Sequence, residues 1–374
     1  MGWLYILKQI INDLVKNNNV PSKNIFFVDK EEIELNFIKT ANDVLDLFKI
    51  YTKQIKPKGT IYFFIDEVQD IENWEKLVVS IAKKTKPKVK VYITGSNSKV
   101  LSTELNTYLS GRYINYDIYS FSFAEYCDYL SIKETNKNFI KYLESGGLPE
   151  ILKIKDSTLK SDYLKNIKNT VILKDIVQKF NIRRSYLLEL LLNYVSDNVS
   201  KLTSANNISK TFKKTGISAS PETIGEYLNY LQQAFIIHSA KRYDLVGKRI
   251  LENEAKYYLN DIAFKSLLFS KFDDAFGHKL ENVIYLELKR KGYDVFIGKI
   301  KDLEVDFIAE KLNKKIYIQV CFSLKDERVL QRELNVFKKI QDNYEKIIIS
   351  LDNVKYKNLQ GIKHILAKDV SNLL

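Results

Sequence analysis

The segment GTIYFFIDE, from Gly59 to Glu67, delivers a run of apolar residues into two adjacent carboxylates. At the carboxyl end of a strand, Asp66 could hold a magnesium ion through water while Glu67 orients an attacking water, the chemistry of nucleotide hydrolysis. The ITGSNS segment sets Ser96 and Asn97 where a group sensing a terminal phosphate would stand. The LSGRY segment adds Arg112, a cation able to stabilise transferring phosphoryl charge, in cis or across a subunit boundary. Acidic pairs also close many strands as ordinary solvated ends, so the pair takes its meaning from a phosphate-binding partner. That partner, the loop G-x-x-x-x-G-K-[ST], does not occur in the 374 residues.

The elements that must position these residues are readable from periodicity. WLYILKQIINDLVK (3–16) spaces its apolar side chains for a helix that stops in NNN before Pro21. NIFFVD (24–29), TIYFFID (60–66), KVYITGS (90–96) and INYDIY (114–119) read as strands, with helices over 41–55 and through WEKLVVSIAKK between them. Strands alternating with helices of this length predict a parallel sheet with right-handed crossovers, an α/β nucleotide-binding type of core. From Tyr126 to about Ser200 the pattern is mostly helical, broken at ESGGLPE (144–150). The helices YLLELLLNYVSDNV, NNISKTFKKTG and SPETIGEYLNYLQQAFII follow, the last opening on a Ser220 cap with Pro221 and Glu222 in its first turn. Two strands, IIHSAKRYDL and KYYLNDI, come next, and three helices with a two-stranded ribbon describe a winged helix. From Gly277 onward, helix LENVIYLELKRKG, strands YDVFIG, LEVDFIAE and KIYIQVCF, helix RVLQRELNVFKKIQ and strand EKIIISL make a further, smaller α/β unit.

Bulk composition bounds the function classes. A chain of 374 residues exceeds one ordinary core, and 45% hydrophobic with 28% charged residues is globular. The formal net charge of +13 fits an anionic partner, nucleic acid first, and fits equally the Lys-, Ile-, Asn- and Tyr-rich usage of AT-rich coding. Cys127 and Cys321 lie far apart and form no metal or redox motif, and only His238, His278 and His364 are present, which argues against zinc. No apolar run approaches the ~20 residues of a membrane span, and the start has no basic-then-apolar signal pattern, so a cytoplasmic protein with no membrane partner is expected.

FFIDEVQDIENWE, YITGSNSKVLSTELNTYLSGRY, SFSFAEY, GGLPE and EVDFIAEKLNKKIYIQVCFS, in this order, resemble the prokaryotic, archaeal-type AAA-family ATPases that carry a C-terminal domain of unknown function similar to restriction endonucleases. The resemblance implies Asp66 and Glu67 as the metal and water carboxylates, Asn97 or Ser96 as the sensor and Arg112 as the arginine finger, with ATP and Mg²⁺ as cofactors of intact relatives. In that family the first helix is entered directly from the phosphate loop. Here Gly2, Trp3 and Leu4 stand where G-K-S or G-K-T is expected. The expectation is a chain lacking the first strand and loop and holding no nucleotide tightly. The expected organisation is then α/β throughout, with an incomplete P-loop NTPase sheet at 1–125, a helical and winged-helix part at 126–270 and a restriction-endonuclease-like domain at 271–374.

Two further sites follow from that reading. Endonuclease-like centres gather an acid from the first helix, an Asp from one strand and Glu-x-Lys from the next around Mg²⁺. The counterparts here are Glu281 or Glu287, then Asp306, then Gln319 and Cys321, and the last two suit a hard cation poorly. Cleavage is therefore disfavoured, and Asp306 stands as a weak metal ligand. The basic residues Lys201, Lys210, Lys213, Lys214, Lys241, Arg242, Lys248 and Arg249 flank the second helix and the ribbon, where they could neutralise the phosphates of non-specifically bound DNA. The third helix carries two glutamates and no arginine, poor equipment for reading guanine. The leading reading is an AAA-family ATPase by descent. The alternative is a non-enzymatic DNA-binding or protein-binding module, and a protein partner or homo-oligomer fits either.

Overall fold

Three parallel strands, β1 (Ile25–Asp29), β2 (Ile61–Asp66) and β3 (Val89–Ile93), lie in the order β1-β2-β3 and form the amino-terminal sheet. The computed structural model describes residues 2–84, 86–95, 113–170, 176–265, 276–357 and 359–373. The chain divides into two compact units, Met1–Ile118 and Tyr119–Leu374. In the first, the uninterrupted apolar run of β2 is explained by burial on both faces, with Ile61, Phe63, Phe64 and Ile65 all at 0% exposure. Phe63 meets Phe26 and Phe48 at ring separations of 4.9 and 5.2 Å, while Phe64 stacks on Tyr92 at 4.7 Å. Helices Gly2–Lys16, Ala41–Ile55 and Trp74–Ala82 belong to the same unit, the second opened by a reciprocal Thr40–Asp43 capping box.

The expected fourth strand, INYDIY at 114–119, is not formed. Residues 113–119 have no regular structure, and Ile114 and Tyr116 are 78% and 71% exposed. Its alternating pattern imitates a strand, but Ile114 and Tyr116 are left exposed, while Tyr119 packs against the core of the second unit.

The second unit opens with helices Phe123–Leu130, Asn136–Ser145, Pro149–Lys153 and Ser157–Ile167. Helices Ser185–Asp197, Ala205–Lys214 and Pro221–Gln233 then pack around Leu187, Leu191, Ile208, Ile224 and Leu231. Ser220 caps the last of these, accepting from the Thr223 amide at 3.2 Å, with Pro221 at its start. One mixed sheet completes the unit, made of β4 (Leu202–Thr203), β5 (Ile237–Asp244), β6 (Arg249–Leu259), β7 (Asp294–Ile300), β8 (Leu303–Lys311), β9 (Lys314–Cys321), β10 (Glu345–Ser350) and β11 (Lys363–Leu366). Among the described residues it has eight strands, in the order β11-β10-β9-β8-β7-β5-β6-β4. β5 meets β7 in parallel over Arg242–Asp244 and Ile297–Lys299, so the sheet runs across the boundary expected near residue 270.

Helix Phe276–Arg290 is buried continuously from Lys279 to Leu288. Its polar residues are therefore inside and must be paired. Asn282 shows how: its amide donates to the Leu259 carbonyl at 3.0 Å and its oxygen accepts from the Leu259 amide at 2.7 Å, clamping the helix to the end of β6. Among the described residues no helix is long and apolar enough to cross a membrane.

The glycines of GGLPE have a steric reason. Gly146 has φ +71°, and a Cβ there would lie 2.0 Å from Asp261 Oδ1; a Cβ on Gly147 would lie 2.2 Å from the Phe121 carbonyl oxygen. The Gly147 amide donates to Asp261 Oδ2 at 2.9 Å, and Phe121 N–H donates to the Gly147 carbonyl at 2.9 Å. Because the obstacle is backbone, it cannot swing aside. Gly147→Ala should lower the unfolding free energy by more than about 2 kcal/mol, read by urea denaturation, whereas Gly277→Ala, whose Cβ would meet nothing within 4 Å among the described residues, should be neutral or slightly stabilising.

Candidate functional site

Asp29 and Asp66 are register partners at the carboxyl ends of β1 and β2, and both are buried, at 4% and 2% exposure. The Thr94 hydroxyl, just past β3, donates to Asp66 Oδ1 and in turn accepts from the Glu67 amide at 3.2 Å. Glu67 adopts a left-handed conformation, φ 49°, and its carboxylate accepts a hydrogen bond from Gln69. A non-glycine residue held in that region is fixed by its surroundings, here the Thr94 contact and the tight turn into Val68–Asp70. Burial pushes the Asp66 carboxyl above the usual range; the Thr94 hydroxyl opposes this, and the neighbouring charges of Glu67, Asp29 and Glu31 reinforce it. An electronegative, oxygen-rich strand end suits a hard divalent cation. Ser96, Asn97 and Arg112 lie outside the described residues. Gly2 and Leu4 fall within the first helix.

The second site is built around a residue that sequence reasoning missed. Lys256 of β6 is 4% exposed, and its ammonium sits 2.7 Å from Glu304 Oε1, 3.0 Å from Glu281 Oε1 and 3.7 Å from Asp306 Oδ1. The Tyr258 hydroxyl donates to the same Glu281 oxygen at 2.8 Å. Burial alone would lower the lysine's affinity for its proton, but Glu281, Asp306 and Glu304 override it and raise that affinity. Asp306 is pushed up to about 7 by burial and the Glu281 charge, against the pull of Lys256 and the Val320 amide. Of the two helix acids considered, Glu281 belongs here. Glu287 pairs instead with Arg290 at 3.2 Å.

Asp306 and Gln319 do come together on adjacent strands, but through a backbone contact. The Asp306 amide donates to Gln319 Oε1 at 2.8 Å, and Gln319 Nε2 donates to Glu333 Oε2 at 3.0 Å. The Gln319 side chain is thereby committed to holding β8, β9 and helix Glu327–Lys338 together. Cys321 is 5% exposed with its thiol pushed up by burial, so it replaces the expected lysine with an inert group. The signal for Lys256 was the alternation in KYYL: it shares a strand face with the buried Tyr258. Among the described residues, no cluster of three or more His, Cys, Asp or Glu side chains is arranged to hold a metal, and around Asp306 an ammonium sits among the carboxylates.

The basic residues divide into two groups. Lys241 and Arg242 pair with Glu252 and Glu254 across the β5–β6 hairpin, each at 2.7 Å, which offsets their charge. Lys201, Lys210, Lys213, Lys214, Lys248 and Arg249 are exposed.

Removing Lys256 leaves three carboxylates without their counter-charge. Lys256→Met should destabilise the second unit by about 3–5 kcal/mol, and adding Glu281→Gln should recover part of the loss. Asp306 supplies the pH sign. Its carboxyl titrates near 3.8 when unfolded and near 7 in the fold, so folded protein binds the extra proton and stability falls as pH rises between those values. Asp306→Asn should remove that component, whose slope is at most about 1.4 kcal/mol per pH unit, in denaturation measured from pH 4 to 8.

Comparison with known proteins places the chain in a lineage. The model of an AAA domain matches residues 4–127, and that of a domain of unknown function (DUF8612) matches residues 136–274. An uncharacterized protein of Haemophilus influenzae is 32% identical over 368 residues, covering 97% of this chain and 90% of its own length. An uncharacterized protein of Methanocaldococcus jannaschii is 30% identical over 394 aligned positions, covering 100% of this chain and 83% of its own. A crystal structure of a Vibrio cholerae protein aligns over 94% of this chain and 96% of its own at 10% identity, with a TM-score of 0.22, a level that carries no argument about fold. The chain belongs to one family with the Haemophilus influenzae and Methanocaldococcus jannaschii proteins and carries an AAA domain in its amino-terminal part.

Proposed function

We propose that the amino-terminal unit is the metal and water half of an AAA-type ATP site, which hydrolyses ATP only when a phosphate-binding loop, not contained in these 374 residues, completes it. The observation that carries the reading is Asp66, fixed by Thr94 at the carboxyl end of the central parallel strand with Glu67 beside it. Magnesium, when bound, neutralises phosphate charge and polarises the transferring group. Asp66, fixed by the Thr94 hydroxyl, would hold that ion, and Glu67, whose amide donates to the same hydroxyl, would orient the water. Gln69 orients the Glu67 carboxylate. Asn97 or Ser96 takes the sensor role and Arg112 the arginine-finger role, as the family resemblance implies. The lysine and hydroxyl that complete a phosphate cradle have Trp3 and Leu4 at their aligned positions.

The 374 residues alone should show no saturable ATP binding in a Mg²⁺ titration and no phosphate release above the blank. Turnover that vanishes in Glu67→Gln would overturn this and place the triphosphate on residues outside the motif.

A second reading attaches to the carboxyl-terminal part, and Lys256 is the observation that favours it. We read residues 271–374 as endonuclease-like, with Lys256 supplying from β6 the lysine that Cys321 does not, beside Glu281 and Asp306. The Asp306 carboxyl then needs a cation to displace its proton near neutral pH. Supercoiled plasmid incubated with Mg²⁺ or Mn²⁺ should be nicked by the intact chain and not by Asp306→Asn. Equal nicking by both, or none by either, rejects the reading. We also read the three helices 185–233 with β4, β5 and β6 as a winged helix, whose exposed Lys210, Lys213, Lys214, Lys248 and Arg249 would contact DNA phosphates without reading bases.

A further inference from the structure

His364 of β11 is 6% exposed, and both of its ring nitrogens are committed. The Tyr356 amide donates to Nδ1 at 3.0 Å, which leaves the ring proton on Nε2, 2.8 Å from Ser350 Oγ at the end of β10. The Ser350 hydroxyl donates in turn to Asp352 Oδ2 at 2.8 Å, and Asp352 also accepts from the Ser323 hydroxyl at 2.7 Å and the Leu324 amide at 2.8 Å. This chain of hydrogen bonds is complete only while the imidazole is neutral.

The residues between β10 and β11 depend on it. Residues 353–357 form no helix or strand, and the Tyr356 ring stands at 66° to the imidazole with centroids 5.4 Å apart. Tyr356, Leu359 and Ile362 pack into the apolar cluster of Cys321, Leu324 and Phe337. Gln360 is held at φ 56°, a left-handed conformation that its surroundings must impose. Asn136 anchors the near end of the segment, its side-chain amide donating to the Asp352 carbonyl at 2.9 Å and to Asn353 Oδ1 at 2.7 Å. Helix Asn136–Ser145 therefore starts from this segment.

The surroundings of the ring disfavour an imidazolium. Burial holds His364 below its ordinary value of about 6.5, Lys355 adds to this, and Asp352, on the far side of the Ser350 hydroxyl, opposes it. Burial would raise Asp352, but the Leu324 amide and the Ser323 and Ser350 hydroxyls outweigh burial and hold it below the usual carboxylate range. Lys355 lies 3.9 Å from Asp369, and from the neighbouring elements Cys321 of β9 and Glu327 of helix Glu327–Lys338 bear on Tyr356.

We propose that His364 is the pin of an acid-released latch. A proton arriving at Nδ1 sets two N–H donors against each other, the imidazolium and the Tyr356 amide, and residues 353–357 come away from the ends of β10 and β11. Tyr356 then leaves its cluster, and the anchor made by Asn136 is loosened. Released, the ring takes its proton at about 6.5; enclosed, it does so only at lower pH. Closure is therefore fully favoured above that value and is lost as pH falls below it, down to the pH at which the enclosed ring itself titrates.

The test follows amide exchange of residues 353–357 by mass spectrometry between pH 4.5 and 7.5, in the full chain and in His364→Gln. The glutamine side chain offers an oxygen and an NH₂ group in place of the two ring nitrogens and cannot take a charge. The ratio of the two rates, in which the intrinsic pH dependence of exchange cancels, should be flat above about pH 6.5, rise below it by up to tenfold per pH unit and then level off. In the wild-type chain the His364 ring resonance, assigned by elimination with His238→Gln and His278→Gln, should titrate below the pH at which exchange begins to rise. A ratio constant with pH overturns the inference, since the segment would then be released by another group, Asp352 first. Should His364→Gln not fold, the wild-type chain decides: a ring titrating below about 6.5, with exchange rising in the same window, supports the latch, and a ring titrating at or above that value overturns it.

Discussion

A buried ammonium is tolerated only where carboxylates are brought to it, and Lys256 imposes that condition on three separately folded elements. Glu281 comes from the helix Phe276–Arg290, Glu304 and Asp306 come from β8, and the lysine comes from β6. Each ion costs several kcal/mol to desolvate, and the attraction offsets this only at short distance. The arrangement therefore fixes registry more than it adds stability. It stands where the sheet is otherwise weakly joined, since β5 and β7 share only the pairs from Arg242 to Asp244. The Asn282 clamp on Leu259 and the ionic centre together hold the hairpin to the carboxyl-terminal strands, and Gln319 extends the polar chain to Glu333 and Arg332.

What was legible in the sequence is what local pattern determines. The apolar run ending at Asp66 announced a doubly covered parallel strand, and Ser220-Pro221 announced a helix start, because burial on two faces and capping leave local marks. INYDIY carried the mark of a strand without a partner, since alternation describes a side-chain order and not the existence of a neighbouring edge. β11 went unanticipated because KHIL is only four residues long. Lys256 was missed for a different reason: alternation in KYYL puts it on the face of Tyr258, but the helix acid that makes its burial tolerable, Glu281, lies 25 residues away in sequence.

The two carboxylate centres use the same residue types to opposite electrostatic ends. Around Asp306 the charges of Glu281 and Glu304 are answered from within the fold by Lys256, and Gln319 turns the position of a further acid into a structural strut. Around Asp66 the charges of Glu67, Asp29 and Glu31 reinforce the effect of burial, and among the described residues the Thr94 hydroxyl opposes them. Carboxylates crowded in this way bind a proton or recruit a cation from outside. At the carboxyl-terminal centre a divalent ion must first compete with an ammonium already in place. The direction of that difference follows from where Lys256 stands: the same acid types are left beside one another at the strand ends of one unit and are joined through an ammonium in the other.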